Sequence, residues 1–259
     1  MKEKRFNFQF QVPAPPEGKL VALSNEEAEK WLLNSLAEAK DNPVPALWQL
    51  AQFYKLSKQH EKALQRLREL MNLLPDVEEK ANCVLTMGQA MEQAGDYPAA
   101  IRYYREALGL EPSHTFTWYF INNNLGFCLN TLGKFTEGET YCRRAIAVDA
   151  SRPNAYKNTG IALAGQGNYR EAAACFVTAT QVNAADDRSL RLLEDLVEEH
   201  PELEFEFGET VEMCRKAVDV AAEKVAERRP TVERGWRKHW ILLGMRFGAV
   251  YRRVKKLFQ

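Results

Sequence analysis

Side chains able to do covalent chemistry are few and scattered in this chain. Its 259 residues carry four histidines, His60, His114, His200 and His239, and five cysteines, Cys83, Cys128, Cys142, Cys175 and Cys214. None of the histidines stands at a spacing that would pair it with a nucleophile, and neither a CxxC pair nor a metal-ligand spacing joins the two residue types. P-loop, GxSxG and HExxH sequences do not occur. The cysteines read as reduced core thiols, because Cys128, Cys142 and Cys175 fall where a small apolar side chain is wanted. A row of polar side chains offers another kind of chemistry: Gln49, Thr86, Asn124 and Asn158 follow one another at steps of 37, 38 and 34 residues. An asparagine amide both donates and accepts hydrogen bonds. A row of such groups can therefore hold an extended peptide backbone with little regard to its sequence. Binding is expected here, with neither catalysis nor a cofactor or metal.

Those four residues sit in a repeat. Gly88, Gly126 and Gly160 each stand seven residues before a second glycine, Gly95, Gly133 and Gly167. Two residues after each of these comes an aromatic, Tyr97, Phe135 and Tyr169; then follow Ala100, Gly138 and Ala172, and later Ala107, Ala145 and Ala179. An earlier, more degenerate copy has Ala51, His60, Ala63 and Leu70 at the same offsets and closes on Leu74, Pro75 and Asp76. Each copy reads as two antiparallel helices. A small residue on the first lets the second approach closely, and the second glycine permits the positive backbone angle that ends a helix. One such hairpin cannot bury its apolar stripe alone, so neighbours must stack into a solenoid. The extra residues of the longer steps are expected in the linkers between copies.

The pattern resembles the tetratricopeptide-repeat (TPR) family, in which L-G, then G-x-Y, then A with an aromatic and A, then P recur. The match is best from Met87 and Gly88 to Pro112, from Leu125 and Gly126 to Ala145, and from Thr159 and Gly160 to Ala179. The first copy lacks both glycines, and Gly138 and Cys142 replace the usual alanine and aromatic in the third. The resemblance implies an all-α, right-handed superhelix of about four hairpins, at 44–77, 81–114, 119–152 and 153–186, with helical caps. It also implies a concave groove lined by the first helix of each hairpin, where a peptide or helix of a partner protein binds. Asn124 and Asn158 then resemble the asparagine ladder of some TPR proteins, with Gln49 and Thr86 in register. Trp48, Gln52, Gln89, Asn123, Phe127 and Lys157 are expected around the same groove. The alternative is that these are ordinary polar residues between helices. Trp48 and Gln52 stand where the carboxylate clamp of chaperone-binding relatives has Lys and Asn, which argues against that ligand.

The flanks read differently. Phe6, Phe8, Phe10 and Val12 alternate with polar residues as in a strand, expected to lie along the solenoid surface or to be disordered before Pro13, Ala14, Pro15 and Pro16, the sharper alternative being pairing with a partner's strand. Ser24 and Glu27 form a capping box that opens a helix, so residues 1–43 comprise an extended segment and a capping helix. Residues 187–229 read as a degenerate repeat or capping pair, with helices about 187–199 and 208–227 separated by an acidic stretch at 202–206.

Residues 230–259 place Trp236, Trp240, Leu243, Phe247, Val250, Val254 and Leu257 at spacings of three and four, one stripe of an amphipathic helix. Arg237, Lys238, Arg252 and Arg253 are among the cations on its remaining surface. The formal net charge of zero conceals a split, because residues 228–259 hold ten basic side chains and one acid. The stripe reads either as a face packed on the preceding helices or as an anchor in an anionic membrane surface. Nucleic acid is disfavoured as a partner, since the rest of the chain is acidic. Homo-oligomers remain open. No window approaches the roughly 18 apolar residues of a spanning helix, and the N-terminus lacks the apolar core of a secretory signal. A cytoplasmic scaffold, with peripheral membrane attachment as the alternative, is the expectation.

Overall fold

The computed structural model describes residues 10–13 and 20–227, with side chains from residue 24 to residue 225. The expectations for residues 6–9 and for the helix of 230–259 therefore lie outside the described residues. Two short strands, β1 (Phe10–Pro13) and β2 (Leu20–Leu23), pair antiparallel with Phe10 opposite Leu23 and Pro13 opposite Leu20. The described part of the expected strand, residues 10–13, thus pairs within the chain, with an apolar run too short to announce itself as a strand. Ser24 then caps α1 (Asn25–Glu38): its hydroxyl accepts from the Glu27 N–H while the Glu27 carboxylate accepts from the Ser24 N–H.

Four helix pairs follow: α2 (Val44–Leu56) with α3 (His60–Met71), α4 (Val77–Ala94) with α5 (Tyr97–Gly109), α6 (Thr115–Thr131) with α7 (Phe135–Val148), and α8 (Pro153–Gly165) with α9 (Tyr169–Val182). The turns inside the last three pairs are made by Gly95, Gly133 and Gly167, with φ of 81°, 72° and 80°. In the first pair Lys58 occupies the same place and adopts the same left-handed conformation, φ 60°. The missing glycine has therefore changed the cost of the turn without changing its shape. Close approach explains the other glycine column. A methyl on Gly88 would overlap the Tyr104 ring, and one on Gly160 would overlap the Phe176 ring. In the third pair, Gly126 faces the Cys142 sulfur, and Gly138 leaves the space that the Asn130 amide fills. The two departures of that copy from the repeat pattern therefore belong together.

The longer steps do not lengthen linkers. They add a turn to the front of α4 and α6, which run 18 and 17 residues against 13 in α2 and α8. Asp76 caps α4 by accepting from the Glu78 and Glu79 N–H groups. In the added turn, Glu78 accepts from the backbone N–H of Ser113 (2.8 Å) and His114 (3.0 Å) and from the Thr117 hydroxyl. One extra turn thus caps the other, satisfying donors that a helix start leaves free.

The array is closed by α10 (Arg188–Glu199), a 3-10 turn (Pro201–Leu203) and α11 (Glu204–Glu227). The acidic stretch expected to separate two helices instead supplies this turn and the first turn of α11, where negative side chains favour a helix start. The main core runs through α2 to α6, from Leu47 to Leu129. Ala28 and Leu32 of α1 extend it at one end onto Leu50, Phe53, Tyr54 and Ala63. At the other end Leu163, Phe176, Leu193, Val197, Phe207 and Val211 join α8 to α11.

Candidate functional site

The front helices of successive pairs lie side by side, α4 against α6 and α6 against α8. Polar side chains on them are joined across the repeats. The Asn158 amide on α8 donates to the Asn123 side-chain oxygen (3.1 Å), Asn123 donates to Asn124 (3.0 Å), and Asn124 donates to the Tyr104 hydroxyl (3.4 Å). Tyr104 in turn donates to the Glu92 carboxylate on α4 (2.6 Å), which also receives the Cys128 thiol at 3.9 Å. Beside this line, Lys55 on α2 donates to the Gln89 side-chain oxygen on α4 (3.0 Å). The front helices of all four hairpins are thus linked through polar groups.

Burial sets the charge states along this line. It lowers the Lys55 ammonium to about 8, against the pull of the Glu92 charge. Burial also raises the Glu92 carboxyl, opposed by the hydrogen bonds from Tyr104 and Cys128 and by Lys55. Both groups are held nearer to neutrality than they would be in water. The thiols are poor nucleophiles, since burial pushes Cys83 and Cys142 up to about 12 and raises Cys128, Cys175 and Cys214 as well. Among the described residues no group of three or more His, Cys, Asp or Glu is placed to hold a metal ion.

The residues singled out from sequence divide into two sets. Thr86, Asn123 and Asn158 are 6%, 6% and 4% exposed, and their polar groups are already bonded within the protein, Thr86 to the Asn82 carbonyl at 2.8 Å. Asn158 and Asn123 bond to each other between α8 and α6, Thr86 bonds within α4, and none of the three presents surface. Gln49, Gln52, Gln89, Asn124, Trp48, Phe127 and Lys157 are half-buried. Trp48 and Phe127 pack on the main core, Phe127 meeting the Tyr97 ring edge-on at 6.2 Å. Burial lowers the Lys157 ammonium, as does the nearby Arg188, while Asp186 opposes both.

Sequence reasoning passed over Lys55, Glu92 and Asn130. A signal for them existed. Each stands four residues after the small residue of its copy, Ala51, Gly88 or Gly126, where the fourth copy has Ala164. Three polar residues in succession stand at a position that is apolar in the fourth copy, and each makes a hydrogen bond to another helix.

Two tetratricopeptide-repeat family models match the chain, one at residues 43–110 and the other at 85–156 and 129–188, together more than half its length. The chain belongs to the tetratricopeptide-repeat family. Its hairpins are TPR units, and the array is a right-handed α-solenoid of the kind that serves as a protein-interaction scaffold, a family role that is typically non-catalytic. Human tetratricopeptide repeat protein 7B is 30% identical over 118 residues, 46% of this chain and 13% of that protein. Chicken DnaJ homolog subfamily C member 3 is 24% identical over 168 residues, 61% of this chain and 33% of that protein. The TPR chain thus spans a third or less of the length of these relatives. Among solved structures, BtubC (BKLC) from P. vanneervenii superposes with a TM-score of 0.65 at 16% identity, covering 81% of this chain and 95% of that one. A MamA RS-1 double mutant gives 0.54 at 17% identity, covering 68% and 97%. At such identities the likeness concerns the TPR fold alone. Among the described residues, no helix is long and apolar enough to cross a membrane.

Proposed function

We propose that the chain binds an extended peptide or a helix of a partner protein along the groove lined by α2, α4, α6 and α8. The observation that supports this most is the bonded polar line from Asn158 to Glu92, with Lys55 and Gln89 beside it. Groups already held in place lose little freedom when a ligand arrives, so more of each new hydrogen bond survives as affinity. Partial burial adds to this by strengthening each bond. In this reading Gln49, Gln52, Gln89 and Asn124 donate to and accept from the ligand backbone, and Trp48 and Phe127 supply apolar contact. Lys55 and Lys157 meet carbonyl or carboxylate oxygens. Asn123, Asn158 and Thr86 keep the others in register. The chemistry is recognition, and no bond is made or broken.

A variant with Gln52, Gln89 and Asn124 all replaced by alanine tests the proposal. The tagged intact chain and the variant are used to capture proteins from native-host lysate, with thermal unfolding of each followed in parallel. The proposal expects partners of the intact chain to be lost at least tenfold from the variant while the unfolding temperature moves by only a few degrees. Equal capture by both proteins, each folded, would place partner binding elsewhere.

A further inference from the structure

The front end of α6 carries two aromatic rings that the repeat does not ask for. Phe116 lies in the turn that α6 adds at its front, and Phe120 follows one turn later. The other copies have Asp41, Glu78 and Ala150 where the third has Phe116, and Pro45, Asn82 and Asn154 where it has Phe120. Hairpin packing therefore needs an aromatic at neither position. The two rings lie with centroids 4.5 Å apart, and Phe120 meets the buried Tyr119 edge-on at 5.3 Å. Phe116 is nevertheless 52% exposed. Phe116, Phe120, Asn123 and Phe127 follow at spacings of four, three and four, which places them on one side of α6.

Arg152, the residue before α8, closes this cluster. Its guanidinium carbon lies 5.4, 5.1 and 5.2 Å from the ring centroids of Phe116, Tyr119 and Phe120, where the ring faces attract a cation. Its Nε donates to one oxygen of Asp149 (2.6 Å), whose other oxygen accepts from the Ser151 N–H and hydroxyl. Three rings and one carboxylate thus hold the guanidinium in place. Among the described residues neither of its terminal nitrogens makes a hydrogen bond, and the side chain is 36% exposed. A fixed guanidinium with its outer nitrogens open matches a carboxylate, which it can grip through two parallel bonds.

We infer that Arg152 and Phe116 anchor an acidic residue of a partner chain that has a bulky apolar neighbour. The carboxylate sits on the terminal nitrogens of Arg152, and the apolar side chain covers the exposed ring of Phe116. The anchor lies at one end of the α6 row that runs on through Asn123 and Phe127, and that its ligand is a peptide rests on the groove reading above. Asp149 limits its strength. An incoming carboxylate meets one cation and one anion, so the isolated anchor should be weak, with a Kd of about 1 mM or above. Glu78, the other acid beside the front of α6, is already engaged by Ser113, His114 and Thr117.

Titration of the full chain with the capped tripeptide acetyl-Leu-Asp-Phe-amide, followed on the fluorine resonance of a para-fluorinated phenylalanine, tests the inference. Saturable binding is expected, and the asparagine twin of the tripeptide should bind about fivefold or more less tightly. Arg152→Lys keeps the charge and loses the fork, and Phe116→Ala removes the exposed ring; each should weaken binding by about fivefold. Asp149→Asn removes the opposing charge and should tighten binding about twofold to fivefold, a gain that a purely structural Arg152 would not give. Thermal unfolding of each variant reports whether it keeps its fold. Absence of saturable binding by the intact chain would overturn the inference. So would equal binding of the two tripeptides, binding unchanged in folded Arg152→Lys and Phe116→Ala, or no gain in Asp149→Asn. The lysate capture that tests the groove alters none of these residues, so the two readings can fail separately.

Discussion

Lys58 and Asn158 show how single positions carry the consequences of the repeat. Lys58 sits at φ 60°, where its Cβ crowds the backbone, while the three equivalent turns use glycine. Lys58→Gly should stabilise the chain by about 1 kcal/mol, the left-handed penalty less the extra chain entropy of glycine; denaturant midpoints measured at equal m-value would reveal it. The two asparagines of the ladder should part company. Asn158→Ala leaves the buried Asn123 oxygen without its donor and should cost about 1–3 kcal/mol. Asn124→Ala, at a half-buried position, should cost under about 1 kcal/mol and weaken partner binding instead. From sequence alone both read alike, as ladder residues of the groove or as ordinary polar residues between helices. Their spacing was legible, but which of them faces inward depends on how α6 and α8 pack, and spacing does not carry that information.

At the scale of the helix, the glycine columns marked the helix pairs because each column has one physical job, a left-handed turn or a close contact with the ring or sulfur opposite. Helix starts were less legible. The added turns of α4 and α6 look like linker in a register counted from Gly88 and Gly126. Asp76 reads as well as the end of one copy as the cap of the next. The bonds that make those turns worthwhile are long-range: Glu78 meets Ser113, His114 and Thr117 some 35 to 39 residues away. Removing that carboxylate with Glu78→Ala should destabilise the chain by about 1.5–3 kcal/mol, the scale of hydrogen bonds to a charged group. Exchange of the first amides of α6 should rise faster than that of α8, whose start does not depend on Glu78. The β1–β2 pair was half legible, since Phe10 and Val12 alternate as a strand should, whereas Leu20–Leu23 has no alternation to read.

For the whole molecule, stacking turns local hairpins into one surface. A single pair offers a few polar side chains, and four pairs in register offer a line of them, bonded across the front helices and stiffened by the core behind. In the proposed reading the scaffold role follows from that continuity, with buried residues positioning and half-buried ones meeting the ligand. The charge pattern belongs to this scale too: it was visible as a basic tail and an acidic body, and the acidic excess is concentrated in residues 187–227, with 13 acidic and 5 basic side chains. A photo-reactive amino acid at Gln89, on α4 in the proposed groove, compared with the same group at the exposed Arg102 on the back helix α5, separates binding along the front helices from binding elsewhere. In native-host extract the account predicts a covalent adduct to a partner protein from position 89 and none to that protein from position 102. An adduct to the same partner from position 102 alone would contradict it.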